Sequence, residues 1–167
     1  MTMLVVMGVS GSGKTTVARM LAAELGWVWQ DGDDLHPPAN VAKMAGGEPL
    51  SDADRWPWLA AIAARLAQWR AEGRSGIITC SALKRAYREA LADGQGDTSF
   101  IHLRGSKALI AARLAERRGH FMPPGLLDSQ FAALEAPAAE EPALAFDIDA
   151  PPAAIVRTIL AALPLRA

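Results

Sequence analysis

The stretch Met3-Leu4-Val5-Val6-Met7-Gly8-Val9-Ser10-Gly11-Ser12-Gly13-Lys14-Thr15-Thr16 decides how this chain folds. Five consecutive apolar residues read as a short strand buried on both faces. Gly8 to Thr15 then satisfies G-x-x-x-x-G-K-[ST], the phosphate-binding loop. Behind it, Val17, Leu21 and Leu25 recur every four residues, as on one face of a helix, and Gly26 stops the pattern. Strand, glycine-rich loop and helix in that order are the context the motif needs. Such a loop turns its backbone N–H groups around an anion, and glycines permit the turn without a Cβ in the way. Lys14 supplies a point charge for the β- and γ-phosphates, so it is assigned a catalytic role. The Thr15 hydroxyl suits a Mg²⁺ ligand, and the helix adds its positive dipole end. Gly8, Val9, Ser10, Gly11, Ser12, Gly13, Lys14, Thr15 and Thr16 are therefore expected to hold nucleotide.

Outward from this loop, strand and helix patterns alternate. Trp27-Val28-Trp29 reads as a second strand, closed by Asp31-Gly32-Asp33, and Pro37 and Pro38 open a short helix ending near Gly46-Gly47. A longer helix follows, with Asp52 or Asp54 as N-cap and Leu59, Ile62, Leu66 and Trp69 on one face, as far as Gly73. Residues 76–80, 100–103 and 144–148 read as strands three to five. Helices are expected over 82–91, 106–118 and 152–163. This alternation predicts an α/β fold: a three-layer, five-stranded parallel sheet with helices on both faces, in one domain spanning 1–167. Residues 119–137 break the rhythm and are expected to form a lid, open until ligands bind.

Composition narrows the function. The chain has 167 residues (17.7 kDa), 51% of them apolar and 21% charged, which excludes disorder and fits one domain. A net charge of −1 and a pI near 6.3 lack the footprint of a nucleic-acid binder. One cysteine makes neither an internal disulfide nor a cysteine-based zinc site. No apolar run has the length of a signal core or a membrane span, so a cytoplasmic protein without membrane contact is expected. There is no Asn-Lys-x-Asp motif for reading guanine, and the third strand ends Thr79-Cys80-Ser81, without a Walker B carboxylate. A short chain of this kind with a lid points to a kinase for a small acceptor.

The acceptor side starts where the second strand ends. Ligands gather at the carboxyl ends of strands in such sheets, which places Asp33 beside the phosphate loop with His36 one turn on. A carboxylate there can take a proton from an attacking hydroxyl or organise Mg²⁺ through water. Asp31, Asp34 and His36 read equally as function or as local capping. Lys84 and Arg88 are four apart and share a helix face, as a pair that holds an anion or as a solvated basic face. Arg113 and Arg117 repeat that spacing before the lid, Arg55 is ambiguous alone, and Cys80 reads as a buried small residue. Trp27, Trp29 and Trp69 read as packing residues, whereas Trp56 and Trp58 line either a pocket or a contact.

Gly8 to Thr15, Asp31-Gly32-Asp33 with Leu35-His36-Pro37, Lys43-Met44, and Asp54-Arg55 with Pro57-Trp58-Leu59 together resemble bacterial gluconate kinase. So do Cys80-Ser81-Ala82-Leu83-Lys84, Tyr87-Arg88, Gly119-His120-Phe121-Met122, and Ser129-Gln130-Phe131 with Leu134-Glu135. The blocks run in unbroken order over residues 3–149. The resemblance implies phosphorylation of D-gluconate at its 6-hydroxyl by ATP with Mg²⁺, in a cytoplasmic homodimer. It also implies that Asp33, His36, Arg55, Lys84, Arg88, His120 and Gln130 face the substrate and that Arg113 and Arg117 face ATP. Two readings stay beside it: another small-metabolite kinase of the shikimate kinase kind, separated by a substrate panel, and a regulatory nucleotide-binding module without turnover.

Overall fold

In the computed structural model, which describes residues 1–116 and 124–164, the strands are β1 (Met3–Met7), β2 (Val28–Asp31), β3 (Gly76–Thr79), β4 (Thr98–Arg104) and β5 (Ala143–Asp147). Their order is β2-β3-β1-β4-β5, with every neighbouring pair parallel. β1 lies at the centre, and all five of its residues are buried because helices cover both faces. Leu4 and Val6 point to one layer, Met3, Val5 and Met7 to the other, as period-two alternation requires.

The first layer contains α1 (Lys14–Leu25), α5 (Lys107–Glu116) and α7 (Pro152–Ala162), which contribute Val17, Leu21, Ile110, Ile155 and Ile159 to the core. The second contains α3 (Asp52–Ala71) and α4 (Arg85–Ala92), with Leu59, Ile62, Leu66, Trp69, Tyr87 and Leu91 buried against the sheet. The apolar face expected for the long helix is thus the buried one. Between β2 and α3 lie a 3-10 turn (Gly32–Leu35) and the short helix α2 (Pro38–Ala45). The expected three-layer α/β architecture with five parallel strands is the one observed.

Several details differ from the sequence reading. The N-cap of α3 is Ser51, not Asp52 or Asp54; Asp54 is instead the third helical residue and completes a reciprocal capping box with Ser51. Helix α4 begins at Arg85 rather than at residue 82, because Ala82 takes a left-handed conformation (φ +46°) that no helix continues. The segment expected to stand open is, over its described part, a docked helix, α6 (Pro124–Ala133), with Leu126 and Leu127 buried. Beyond it, the Leu83 carbonyl accepts from the Glu135 N–H at 2.7 Å, tying the segment's end to the loop between β3 and α4. Residues 119–123 of the segment lie outside the described residues.

Arg88 is the largest correction. Its side chain is only 2% exposed; Nε and Nη2 donate to Glu141 at 2.7 and 3.2 Å, and Nη1 donates to the Ala82 carbonyl at 2.8 Å. The guanidinium is therefore spent inside the protein, holding the left-handed residue and the approach to β5, and it does not face an acceptor. Removing one partner of a buried pair strands the other charge, at a cost of about 3–5 kcal/mol, whereas an apolar pair of similar volume is often neutral. Arg88→Ala is expected to lose stability on that scale in urea unfolding, and Arg88→Met with Glu141→Leu to recover most of it. A stable Arg88→Ala with only a raised acceptor KM would contradict this placement.

Candidate active site

The loop between β1 and α1 closes on Gly13, whose φ of +91° and lack of Cβ let the chain swing from the loop into the helix. Lys14 lies along the loop, its Nζ donating to the carbonyls of Gly8 and Val9 at 3.0 and 3.1 Å. The Thr15 hydroxyl donates to Asp31 Oδ2 at 2.9 Å. Asp31 Oδ1 accepts from the Thr79 hydroxyl at 3.0 Å and from the Asp33 N–H at 2.9 Å. One carboxylate thus joins the start of α1, the end of β3 and the acceptor turn. The turn runs so close to β3 that a Cβ on Gly32 would lie 1.9 Å from the Thr79 carbonyl oxygen, so only glycine fits there.

A cavity of about 350 Å³ opens beside this loop, and Lys14, Asp33, His36, Arg55, Trp58 and Gln130 all reach its wall. Asp33 is not a cap of α2: the N-cap there is Pro37, without a side-chain bond, and the side chain that caps the 3-10 turn is that of Asp31. The Asp33 carboxylate is 76% exposed, as a group that must reach a ligand's hydroxyl should be. His36 stacks on Trp58 with ring centroids 4.0 Å apart, and Trp58 Nε1 donates to the Gly32 carbonyl at 2.8 Å. Burial, helped by the Arg55 charge, lowers the His36 pKa from 6.5 to about 4 against the opposing pull of Asp31, so the ring is neutral at pH 7. Of the two tryptophans left open by sequence, Trp58 lines the cavity and Trp56 packs edge-on against Tyr87.

The cations divide sharply. Arg55 is only 9% exposed, yet among the described residues no carboxylate forms an ion pair with it; its Nη1 donates to the Tyr87 hydroxyl at 3.3 Å. Tyr87 in turn donates to Asp52 Oδ1, and Lys84 Nζ donates to the same carboxylate at 3.1 Å. The Lys84 ammonium thus goes to Asp52 while the Arg88 guanidinium goes to Glu141, and Lys84 stands off the cavity wall. The two-cation clamp from one helix face is not formed. Among the described residues, the cavity wall carries the Arg55 guanidinium from α3 and the Lys14 ammonium from the phosphate loop.

Gln130 on α6 meets the phosphate loop itself. Its Oε1 accepts from the Ser10 N–H at 2.7 Å and its Nε2 donates to the Ser10 hydroxyl at 3.0 Å. Arg113 donates from Nη2 to the Ile148 carbonyl. Arg117 and His120 lie outside the described residues. Cys80 is fully buried, and desolvation pushes its thiol up to about 12, which fits the packing role expected of it.

Sequence reading missed the weight of Asp31. A carboxylate was sought at the end of the third strand, whereas the sheet order sets β2 beside β3 and delivers it from there; an acidic residue closing an apolar strand was the available signal. Together the Thr15 hydroxyl and the Asp31 carboxylate form a hard-oxygen donor set of the kind that suits Mg²⁺, which takes few protein ligands beside phosphate oxygens. No helix among the described residues is long and apolar enough to cross a membrane.

Comparison with known proteins adds a family to this geometry. The profile of a family described as an AAA domain matches residues 3–137. A gluconokinase of Gluconobacter oxydans is 55% identical over 141 residues, covering 84% of this chain and 79% of that protein. The crystal structure of a gluconokinase from Sinorhizobium meliloti superposes with a TM-score of 0.88 at 47% identity, over 96% of this chain and 90% of that one. A structure described as a sugar kinase, from Janibacter sp., superposes at 0.91 with 46% identity, over 96% and 92% of the two chains. A shikimate kinase from Aquifex aeolicus, at 18% identity and a TM-score of 0.57, shares the fold alone.

The neutral His36 has a consequence for stability. Between pH 6.5 and about 4 the unfolded chain binds a proton at this histidine that the folded chain refuses, so stability falls as pH drops through that window. Buried His102, also shifted down, acts in the same direction. Melting temperatures measured from pH 7.5 to 4.5 are expected to fall less in His36→Gln than in the unaltered protein. Parallel curves for the two would contradict a neutral, buried His36.

Proposed function

The chain belongs to the gluconokinase family and phosphorylates gluconate with ATP, and from that premise we propose how its residues share the reaction. The observation that carries the reading is the buried Arg55, free of any carboxylate partner among the described residues and set on the same cavity as Lys14 and Asp33. A guanidinium so placed is satisfied by an anion entering the cavity, and gluconate brings a carboxylate. With that end held by Arg55, the 6-hydroxyl at the far end of the linear chain lies toward the phosphate loop.

There Asp33 orients the hydroxyl in line with the γ-phosphorus and takes its proton as the P–O bond forms. Lys14 and the loop N–H groups neutralise charge gathering on the transferred phosphoryl, whose transfer depends on positioning and electrostatics more than on covalent help from the protein. Neutral His36 hydrogen-bonds a hydroxyl of the sugar acid. Gln130 holds α6 over the loop, so water is kept from the γ-phosphate. Thr15 and Asp31 would hold Mg²⁺, which would offset the negative charge of the phosphates when bound. Arg113 and Arg117 are assigned to ATP and His120 to the acceptor side, and Lys84 stays with Asp52 at the outer end of the Arg55–Tyr87 chain. A cytoplasmic homodimer completes the reading.

ADP release against gluconate, glucose, shikimate and nucleoside monophosphates tests it, with turnover expected on gluconate alone. Arg55→Ala is expected to lower kcat/KM for gluconate about 10- to 100-fold, the loss of a charged hydrogen bond, while the ATP KM stays put. Asp33→Asn keeps shape but not basicity, so kcat is expected to drop about 10²-fold or more with an unchanged melting temperature. Near-normal kcat in Asp33→Asn, or a gluconate preference untouched in Arg55→Ala, would remove those roles.

A further inference from the structure

Helix α2 buries one residue among its eight, and that residue is polar: Asn40, 4% exposed. A buried amide is kept for the bonds it makes, since burying it unpaired is costly. Asn40 Nδ2 donates to the Asp54 carbonyl at 2.8 Å, and the same nitrogen lies 3.2 Å from His36 Nδ1. A carbonyl oxygen only accepts, which settles the amide orientation: the NH₂ group faces both partners. Its second N–H therefore points at Nδ1, which must offer its lone pair, and a neutral ring then carries its proton on Nε2. Nε2 is the nitrogen on the Asp33 side, 3.9 Å from that carboxylate. Trp58, pinned to Gly32, fixes the plane of the ring by stacking, so tautomer and orientation are both set by neighbours.

We propose that Asn40 is a positioning residue for the phosphoryl acceptor: its amide holds His36 in the Nε2–H tautomer, so that the ring presents a hydrogen-bond donor to a hydroxyl of gluconate. The assignment rests on reading the cavity as the gluconate site. It differs from a purely structural role because it acts through the proton on one ring atom. The charged groups facing the ring are Arg55 from α3, Asp31 from the end of β2 and Asp33 from the 3-10 turn. Asn40 adds no charge to these, and it selects between two neutral forms.

Long-range ¹H–¹⁵N correlation spectra of the labelled protein read the tautomer directly; the chain has three histidines, and His36→Gln identifies the signals of this one. The Nε2–H pattern is expected in the unaltered protein and a mixture of tautomers in Asn40→Ala. An Nδ1–H ring in the unaltered protein, or an unchanged tautomer in Asn40→Ala, overturns the proposal. In kinetics, Asn40→Ala is expected to lower kcat/KM for gluconate about three- to tenfold, on the scale of one neutral hydrogen bond, with the ATP KM unchanged. In the His36→Gln background, where the side-chain NH₂ needs no tautomer, the same substitution is expected to cost little; an equal loss in both backgrounds means that Asn40 serves only the fold and ends the proposal.

Asn40→Asp supplies a second signature with a defined sign. Its carboxylate accepts from Nδ1–H, so the ring keeps a donor at Nε2 only while doubly protonated. Its kcat/KM is then expected to fall as pH rises through the His36 titration, a limb the unaltered protein lacks; a flat profile in a folded Asn40→Asp counts against the proposal. Should His36→Gln and His36→Ala both match the unaltered kcat/KM, the failure lies in placing gluconate against His36, and the proposal falls with it even though the spectra report the expected tautomer.

Discussion

The Asp31 carboxylate is the contact on which the rest of the site depends. It accepts from the Thr15 hydroxyl on α1, the Thr79 hydroxyl at the end of β3 and the Asp33 N–H in the acceptor turn. Thr79 Oγ1 also accepts from the Gly32 N–H at 3.0 Å, which closes a small polar network over the strand ends. Each strand end in a parallel sheet exposes groups the ladder no longer pairs, and a charged acceptor satisfies several at once with stronger bonds than a neutral one. The outcome is metric. The Thr15 hydroxyl and the turn that carries Asp33 hang on two oxygens of one side chain, so the start of α1 and that turn are placed relative to each other by a single carboxylate.

The allocation of cations follows from burial. Arg88 and Arg55 are both nearly inaccessible, but Arg88 finds Glu141 and a carbonyl, whereas Arg55 finds the Tyr87 hydroxyl. A buried charge that is fully paired serves the fold; one that is paired with a phenol retains most of its field for a ligand. Lys84 is half-way between, held by Asp52 at the outer end of the Arg55–Tyr87–Asp52 chain. That chain keeps the guanidinium in place without neutralising it, because the carboxylate lies one hydroxyl away. On the reading proposed above, it is this guanidinium that tells a sugar acid from a neutral sugar.

Much of this was legible in the residues. Strands buried on both faces announce themselves as apolar runs, so the sheet and its phosphate loop read directly from Met3 to Thr16, and the position of Asp33 follows from where its strand ends. What did not read was anything decided by distant partners. The spacing of Lys84 and Arg88 suggests a shared helix face, but Lys84 is the N-cap of α4 and goes to Asp52, and the residue that claims Arg88 lies 53 positions later, on the approach to an edge strand. The N-cap of α3 fell to Ser51 over its acidic neighbours because the cap position and the third helical residue bond each other, a pairing visible only in the sequence Ser51-Asp52-Ala53-Asp54 taken together. Residues 119–137 show no strand pattern, and within them buried Leu126 and Leu127 dock α6 as a helix, a contact set by distant partners.

The two walls of the cavity are built by different physics, and this bears on how the site closes. The phosphate-loop wall grows from β1 and α1, whose side chains fill the main core, and it inherits the stability of the sheet. The acceptor wall is α2, which contributes no apolar side chain to that core; it is attached by the Asn40 bond to the Asp54 carbonyl and by Lys43, which donates to Asp54 Oδ2 at 2.9 Å. Segments held by few apolar contacts open at lower free energy than the core they border. Both attachments converge on Asp54 in the capping box of α3, the helix that carries Arg55 and Trp58. Asp54 thus ties α2 to the helix end that presents the guanidinium and the stacking ring. The first turns of α3 are in turn anchored by Trp58, Leu59 and Ile62 in the second core layer, so α2 and His36 are referred to the sheet through one helix end.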